Sequence, residues 1–309
     1  MYKIGVQSTG VTNREDIDTG YRMIKEAGFD CVDFNFDFYL HCGIVQSGDI
    51  ARINDIFDRS MEEMWADFEP HYKAAQKYGL TFEQMHAPFP MWQKGRENIN
   101  EKMTRITINS MRLCARMGGR YIVVHPVTLS DEYTKAEQYA YNIEMYKTLV
   151  SVAKELDLII CLENMFIDRN SHLAEGVCSD FAEVADMIDE LNAYAGEERF
   201  GFCFDVGHAN ILGKNLYRSV LALGKRLKTL HIHDNDGVSD LHNMPYTFSR
   251  GWNGPITDWA GFLKGLKEVG YTGVINFETF RCMDSFPEEL HPSVLHLLAD
   301  MGHYFAKQL

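Results

Sequence analysis

No two cysteines in this chain form a Cys-x-x-Cys pair. The seven present, at positions 31, 42, 114, 161, 178, 203 and 282, are odd in number and dispersed. Such a set is expected to stay as reduced thiols in a cytoplasm rather than form a disulfide framework. No apolar run approaches the roughly 20 residues that a membrane span needs. The opening Met1-Tyr2-Lys3-Ile4-Gly5-Val6 reads as a first strand, not as a leader. Positive charge is in deficit, with 30 basic against 44 acidic residues and a net charge of −14. A protein that grips nucleic acid neutralises phosphates with Lys and Arg, so this balance argues against one. Missing as well are a G-x-G-x-x-G after the first strand, an H-E-x-x-H, a G-x-S-x-G and a Walker loop.

What the sequence does contain is alternation. Short β-branched or aromatic runs at 3–7, 31–36, 81–86, 121–125, 158–163, 201–205, 229–233 and 274–278 are separated by helical patterns such as 17–27, 100–117, 137–155 and 259–269. Several helical stretches end in stop signals, as in Ala27-Gly28, Met117-Gly118 and Val269-Gly270. At 309 residues the chain could form one large α/β barrel or two smaller domains. Eight strands alternating with helices, with no linker or low-complexity run, predict a single (β/α)8 TIM barrel spanning 1–309. A doubly wound sheet is the alternative, but an open sheet would not gather residues from strands three through eight. The 15 Met and 19 Phe read as core filling.

The strand ends carry the chemistry. Strand three ends in His86-Ala87-Pro88, strand four in His125-Pro126 and strand five in Glu163-Asn164. Strand six supplies Asp205 and His208, strand seven His231-Ile232-His233-Asp234, and strand eight Glu278; Asp240 and His242 follow in the loop after strand seven. In a barrel all of these project at the C-terminal mouth. Glu163, Asp205, His231 and Glu278 would make a mostly oxygen-donor site suited to Mn, Mg, Co or, less specifically, Zn. His231 and His233 are two apart, so both should point to one face of the strand. His231 is favoured as the ligand, with His233 supporting it from behind.

These motifs, together with His231-x-x-Asp234, Asp240-x-His242 and Phe277-Glu278-Thr279, resemble the xylose-isomerase-like barrel superfamily, which holds sugar phosphate isomerases/epimerases and the endonuclease IV group. Resemblance to its ketose 3-epimerases implies one divalent metal held by Glu163, Asp205, His231 and Glu278. It also implies that Glu163 and Glu278 move a proton beside a carbonyl from opposite faces. His208 would contact substrate oxygens, with His86, His125, His233, Asp240 and His242 around the same substrate and Trp92 and Trp252 offering apolar faces to a sugar ring. The implied substrate is a small sugar, sugar phosphate or keto-cyclitol, with no nucleic acid or membrane partner and with room for a homo-oligomer. An inosose-type dehydratase would use the same site. Resemblance to the endonuclease IV group implies a trinuclear zinc set instead: His86, His125, Glu163, Asp205, His208, His231, Asp240, His242 and Glu278 match its nine ligands. The acidic balance and the aromatic loop 245–254, which reads as a lid over a small molecule, favour the isomerase/epimerase.

Overall fold

Period-two alternation within each strand decides which side chains enter the barrel and which face the helices. In Ile159–Glu163, Ile160 and Leu162 join the main core while Ile159 and Cys161 belong to a separate apolar cluster with Val123, Cys203 and Tyr121. The same parity turns Phe202 and Phe204 outward and Cys203 and Asp205 inward. The barrel interior is therefore filled by a small apolar plug with polar side chains above it.

The computed structural model describes residues 2–53, 57, 59–250, 252 and 254–309. Its eight barrel strands are Ile4–Gln7, Cys31–Asn35, Thr81–His86, Tyr121–Val123, Ile159–Glu163, Phe200–Asp205, Leu227–His231 and Ile275–Phe277. Each pairs in parallel with its neighbours, and the eighth also pairs with the first. The seventh and eighth meet through a parallel bridge between Ile232 and Phe277. There Ile232 N–H donates to Asn276 O at 3.0 Å and Glu278 N–H to Ile232 O at 3.1 Å. This is a TIM barrel with helices outside, as the alternating pattern predicts.

The predicted helix stops hold: Gly28, Gly118 and Gly270 are all left-handed, at φ 103, 91 and 66°. Other details differ. Strand four stops at Val123, so His125 lies beyond it. The helix expected at 137–155 is two helices, Lys135–Lys147 and Val150–Glu155. A hairpin of Phe166–Arg169 and His172–Glu175, which the alternation does not announce, follows strand five. All seven cysteines are free. Among the described residues, no helix is long and apolar enough to cross a membrane. Gly251 and Asn253 of the aromatic loop lie outside the described residues; Trp252 is fully exposed. Tyr246 of that loop packs its ring against Trp259 and Phe305 of the outer helices.

The last helix, His291–Gln308, presses on the join between first and eighth strands at Gly302. A Cβ there would lie 2.4 Å from Ile4 Cγ2 and 2.9 Å from Phe277 Cε2. Gly302→Ala should therefore lower the urea midpoint. Overpacking costs about 1–3 kcal/mol, against roughly 1 kcal/mol regained from helix propensity. An unchanged or higher midpoint would show that the helix does not press on this seam.

Candidate metal centre at the barrel mouth

Inward parity at the last residue of strands five, six and seven, and just past strand eight, aims Glu163, Asp205, His231 and Glu278 at one point. One donor atom from each lies within 4.8 Å of all the others, and all four side chains are buried. His231 Nδ1 stands 3.4 Å from Glu163 Oε2 and 3.2 Å from Glu278 Oε2. Neither His231 ring nitrogen, nor Glu163 Oε2, has a hydrogen-bond partner. Buried polar atoms are seldom left unpaired. Donors of this mixture, converging and unpaired, fit a divalent cation.

Asp205 shows how the Asp-x-x-His spacing works. It ends strand six and caps the helix Val206–Ile211, its Oδ1 accepting from His208 N–H at 2.6 Å. The cap pins the carboxylate while His208 is carried around the first turn to the mouth. His208 Nδ1–H donates to Asn164 O at 2.8 Å, which leaves Nε2 facing Asp240 Oδ2 at 3.6 Å. Strand seven ends at His231, so the two histidines of His231-Ile232-His233 serve different neighbours. His231 joins the four-donor group, while His233 Nε2 lies 3.0 and 3.1 Å from the two Asp205 oxygens. Gly207 leaves space for that ring; a Cβ there would fall 1.9 Å from His233 Cε1.

Two further donor groups flank the first. His86, His125 and Glu163 form one, with His86 Nε2 2.9 Å from His125 Nε2 and His125 Nε2 3.3 Å from Glu163 Oε2. His208, His233, Asp240 and His242 form the other. Backbone carbonyls fix the tautomers: His86 Nδ1–H donates to Ala87 O at 2.8 Å and His242 Nδ1–H to Glu278 O at 3.1 Å. A carbonyl can only accept, so Nδ1 carries a proton in both rings and Nε2 faces the mouth, where His242 Nε2 lies 2.9 Å from Asp240 Oδ2. Trp92 stands outside these groups, its recorded ring partners being Tyr133 and Tyr141.

Three phenylalanines that sequence reasoning missed wall the site. Phe89 packs 4.3 Å from the His125 ring, Phe166 5.0 Å from His208 and Phe280 4.3 Å from His242. Each follows a strand-end donor by two or three residues, at His86, Glu163 and Glu278, and that offset is the signal that could have found them. Also missed was a buried layer of amides and acid beneath the donors, Gln7, Asp33, Gln84 and Asn276. Gln7 Nε2 donates to Glu278 Oε1 at 2.6 Å.

The electrostatics follow from packing acids and imidazoles in a dry site. Burial pushes His125 down to about 4. Burial also opposes charge on Glu163, yet the positive His231 overrides it and holds the carboxyl well below its usual range. For His231 burial works downward, but the Glu278 and Glu163 carboxylates outweigh it and raise the imidazole well above its ordinary value. His208 is raised in the same way, burial being outweighed by Asp205 and Asp240.

The family model described as "Xylose isomerase-like TIM barrel" matches residues 21–300, and the chain belongs to that family. An inosose isomerase of Bacillus licheniformis is 25% identical over 194 residues, 61% of this chain and 63% of the relative. A probable endonuclease 4 of Nitrosopumilus maritimus is 28% identical over 206 residues, 62% of this chain and 65% of the relative. The chain thus spans less than two thirds of the length of either. Among solved structures, a 3-keto-D-glucoside 4-epimerase from E. coli superposes with a TM-score of 0.67 at 18% identity, covering 97% of this chain and all of that one. At that identity the likeness shows the fold.

Raised histidines stabilise the metal-free fold below their unfolded pKa and lose that contribution as pH rises through the folded value. The metal-free chain should therefore lose thermal stability as pH rises above the ordinary imidazole value of about 6.5. Added Mn2+ or Zn2+ should restore it there, because a cation replaces the protons between the carboxylates. A metal-free melting temperature that climbs steadily over this rise would contradict the assignment.

Proposed function

We propose that the chain is a divalent-metal-dependent isomerase or epimerase of a small carbohydrate, a sugar, sugar phosphate or keto-cyclitol. Glu163, Asp205, His231 and Glu278 hold the metal in this reading, and Glu163 and Glu278 carry the proton. The observation that carries it is the pair of buried carboxylates at the end of strand five and just past strand eight, each within 3.4 Å of His231 Nδ1. The inosose isomerase relative supports the carbonyl substrate class. When bound, the metal would polarise the carbonyl beside the reacting carbon.

The residues divide the work by their present restraints. Glu278 has one oxygen tied to Gln7, and Glu163 keeps Oε2 without a partner, so each retains an oxygen able to take or return a proton. His208, with Nδ1–H spent on Asn164 O, offers Nε2 to a substrate hydroxyl. Phe89, Phe166 and Phe280 would exclude water around the reacting carbon and keep the exchanging proton within the site.

In D2O the right ketose or inosose should incorporate deuterium at the carbon beside the carbonyl. Glu163→Gln and Glu278→Gln should each lower interconversion by at least about 100-fold, the scale of a lost general acid–base. Turnover without deuterium uptake would remove proton abstraction from the account. Release of water to an ultraviolet-absorbing product would make the chain an inosose-type dehydratase using the same base.

A second reading, a trinuclear phosphodiesterase, is favoured by the two flanking donor groups and by the endonuclease relative. Against it stands the charge of the mouth loops. Lys94 is paired with Glu132, Arg169 with Asp131, Lys135 with Asp180 and Glu183, and Lys214 with Glu175. Cations already neutralised, on a chain of net charge −14, are poorly placed to release counterions from a phosphate backbone. Protein purified without chelator should hold about one metal per chain and leave abasic duplex DNA uncut. Three metals with incision at the abasic site would make the second reading the right one.

A further inference from the structure

Beneath the four donors lies an acid that the proposed chemistry does not use. Asp33, in the second strand, is buried in the barrel interior. Its Oδ2 accepts from Gln84 Nε2 and from Asn276 Nδ2, both at 2.9 Å, and stands 3.3 Å from His231 Nε2. Its Oδ1 has no partner. Gln84 and Asn276 also reach Leu230 O at 3.3 Å, which anchors both amides to the residue before His231. Four strands, the second, third, seventh and eighth, thus hold one carboxylate oxygen under one ring nitrogen, while the opposite nitrogen faces Glu163 and Glu278.

We infer that Asp33 is the positioning residue of the metal centre: its carboxylate, 3.3 Å from His231 Nε2 and not hydrogen-bonded to it in this structure, takes the Nε2–H when the metal is held, leaving Nδ1 unprotonated and aimed at the metal. The inference rests on the metal site proposed above. A carboxylate behind a ligating imidazole fixes its tautomer, restrains ring rotation and makes the facing nitrogen a stronger donor. The arrangement explains why an acid occupies a dry position where its recorded partners are two amides and the His231 imidazole. Two amides hold it, and its charge acts through the imidazole on the cation 
beyond.

Asp33→Asn separates charge from scaffold. The amide is isosteric, its oxygen can accept the same three donors, and its NH2 falls where Oδ1 has no partner. Co2+ titration of the metal-free chain should show affinity reduced about 10–100-fold, with the metal-free melting temperature essentially retained. In a His231→Gln background the same substitution should have no further effect, because Asp33 acts through that ring. An Asp33→Asn chain that binds Co2+ like the wild type overturns the role, as does an equal loss in both backgrounds. If the variant fails to fold, long-range 1H–15N spectra of the zinc-loaded wild type decide, with His231→Gln used for assignment. A proton on Nε2 of His231 supports the role; a metal-bound Nε2 overturns it. A wild-type chain that binds no Co2+ at all overturns the metal site and this inference together, whereas normal wild-type binding with an unaffected Asp33→Asn overturns this inference alone.

Discussion

Buried negative charge governs this barrel. Asp33, Glu163, Asp205 and Glu278 lie within its interior or at its mouth, and among the described residues their recorded partners are imidazoles, amides and backbone N–H groups. Carboxylates removed from water are costly unless a positive group compensates them. Two agents can do so here: protons on the histidines, or divalent metal. Protons would leave the imidazoles charged and useless as ligands; metal would leave them neutral. The Ala87, Asn164 and Glu278 carbonyls already take the Nδ1–H of His86, His208 and His242, so that Nε2 of each ring is the nitrogen left to face the mouth.

The barrel places these groups through parity, and parity is what made much of the site legible in sequence. An apolar run that ends in an acid, as Ile159–Glu163 does, has the acid one step past an outward residue and therefore inward. Glu163, Asp205, His231 and Glu278 could be located that way without any coordinates. The separation of His231 from His233 could not. It depends on the strand ending at His231, where pairing gives way to the loop that also carries Asp240 and His242.

Other features escaped for physical reasons. Asp33 and Asn276 sit in the middle of apolar runs rather than at their ends, and an inward polar residue looks like noise until the layer it belongs to is seen. The hairpin after strand five turns at Asn170-Ser171, both at positive φ, a turn usually signalled by glycine. Its strands are half exposed, so their alternation is faint. In the aromatic wall, Phe89 and Phe280 lie in loops and Phe166 opens the hairpin, and no periodicity reports the course of any of them.

The account's central claim is that one divalent cation belongs among Glu163, Asp205, His231 and Glu278, with His231 bound through Nδ1. Anomalous diffraction from crystals grown with Mn2+, recorded near the manganese edge, tests it directly. The account predicts a dominant peak about 2.0–2.6 Å from oxygens of the three carboxylates and from His231 Nδ1. A strong peak elsewhere in the molecule, with these four side chains left uncoordinated, would contradict it.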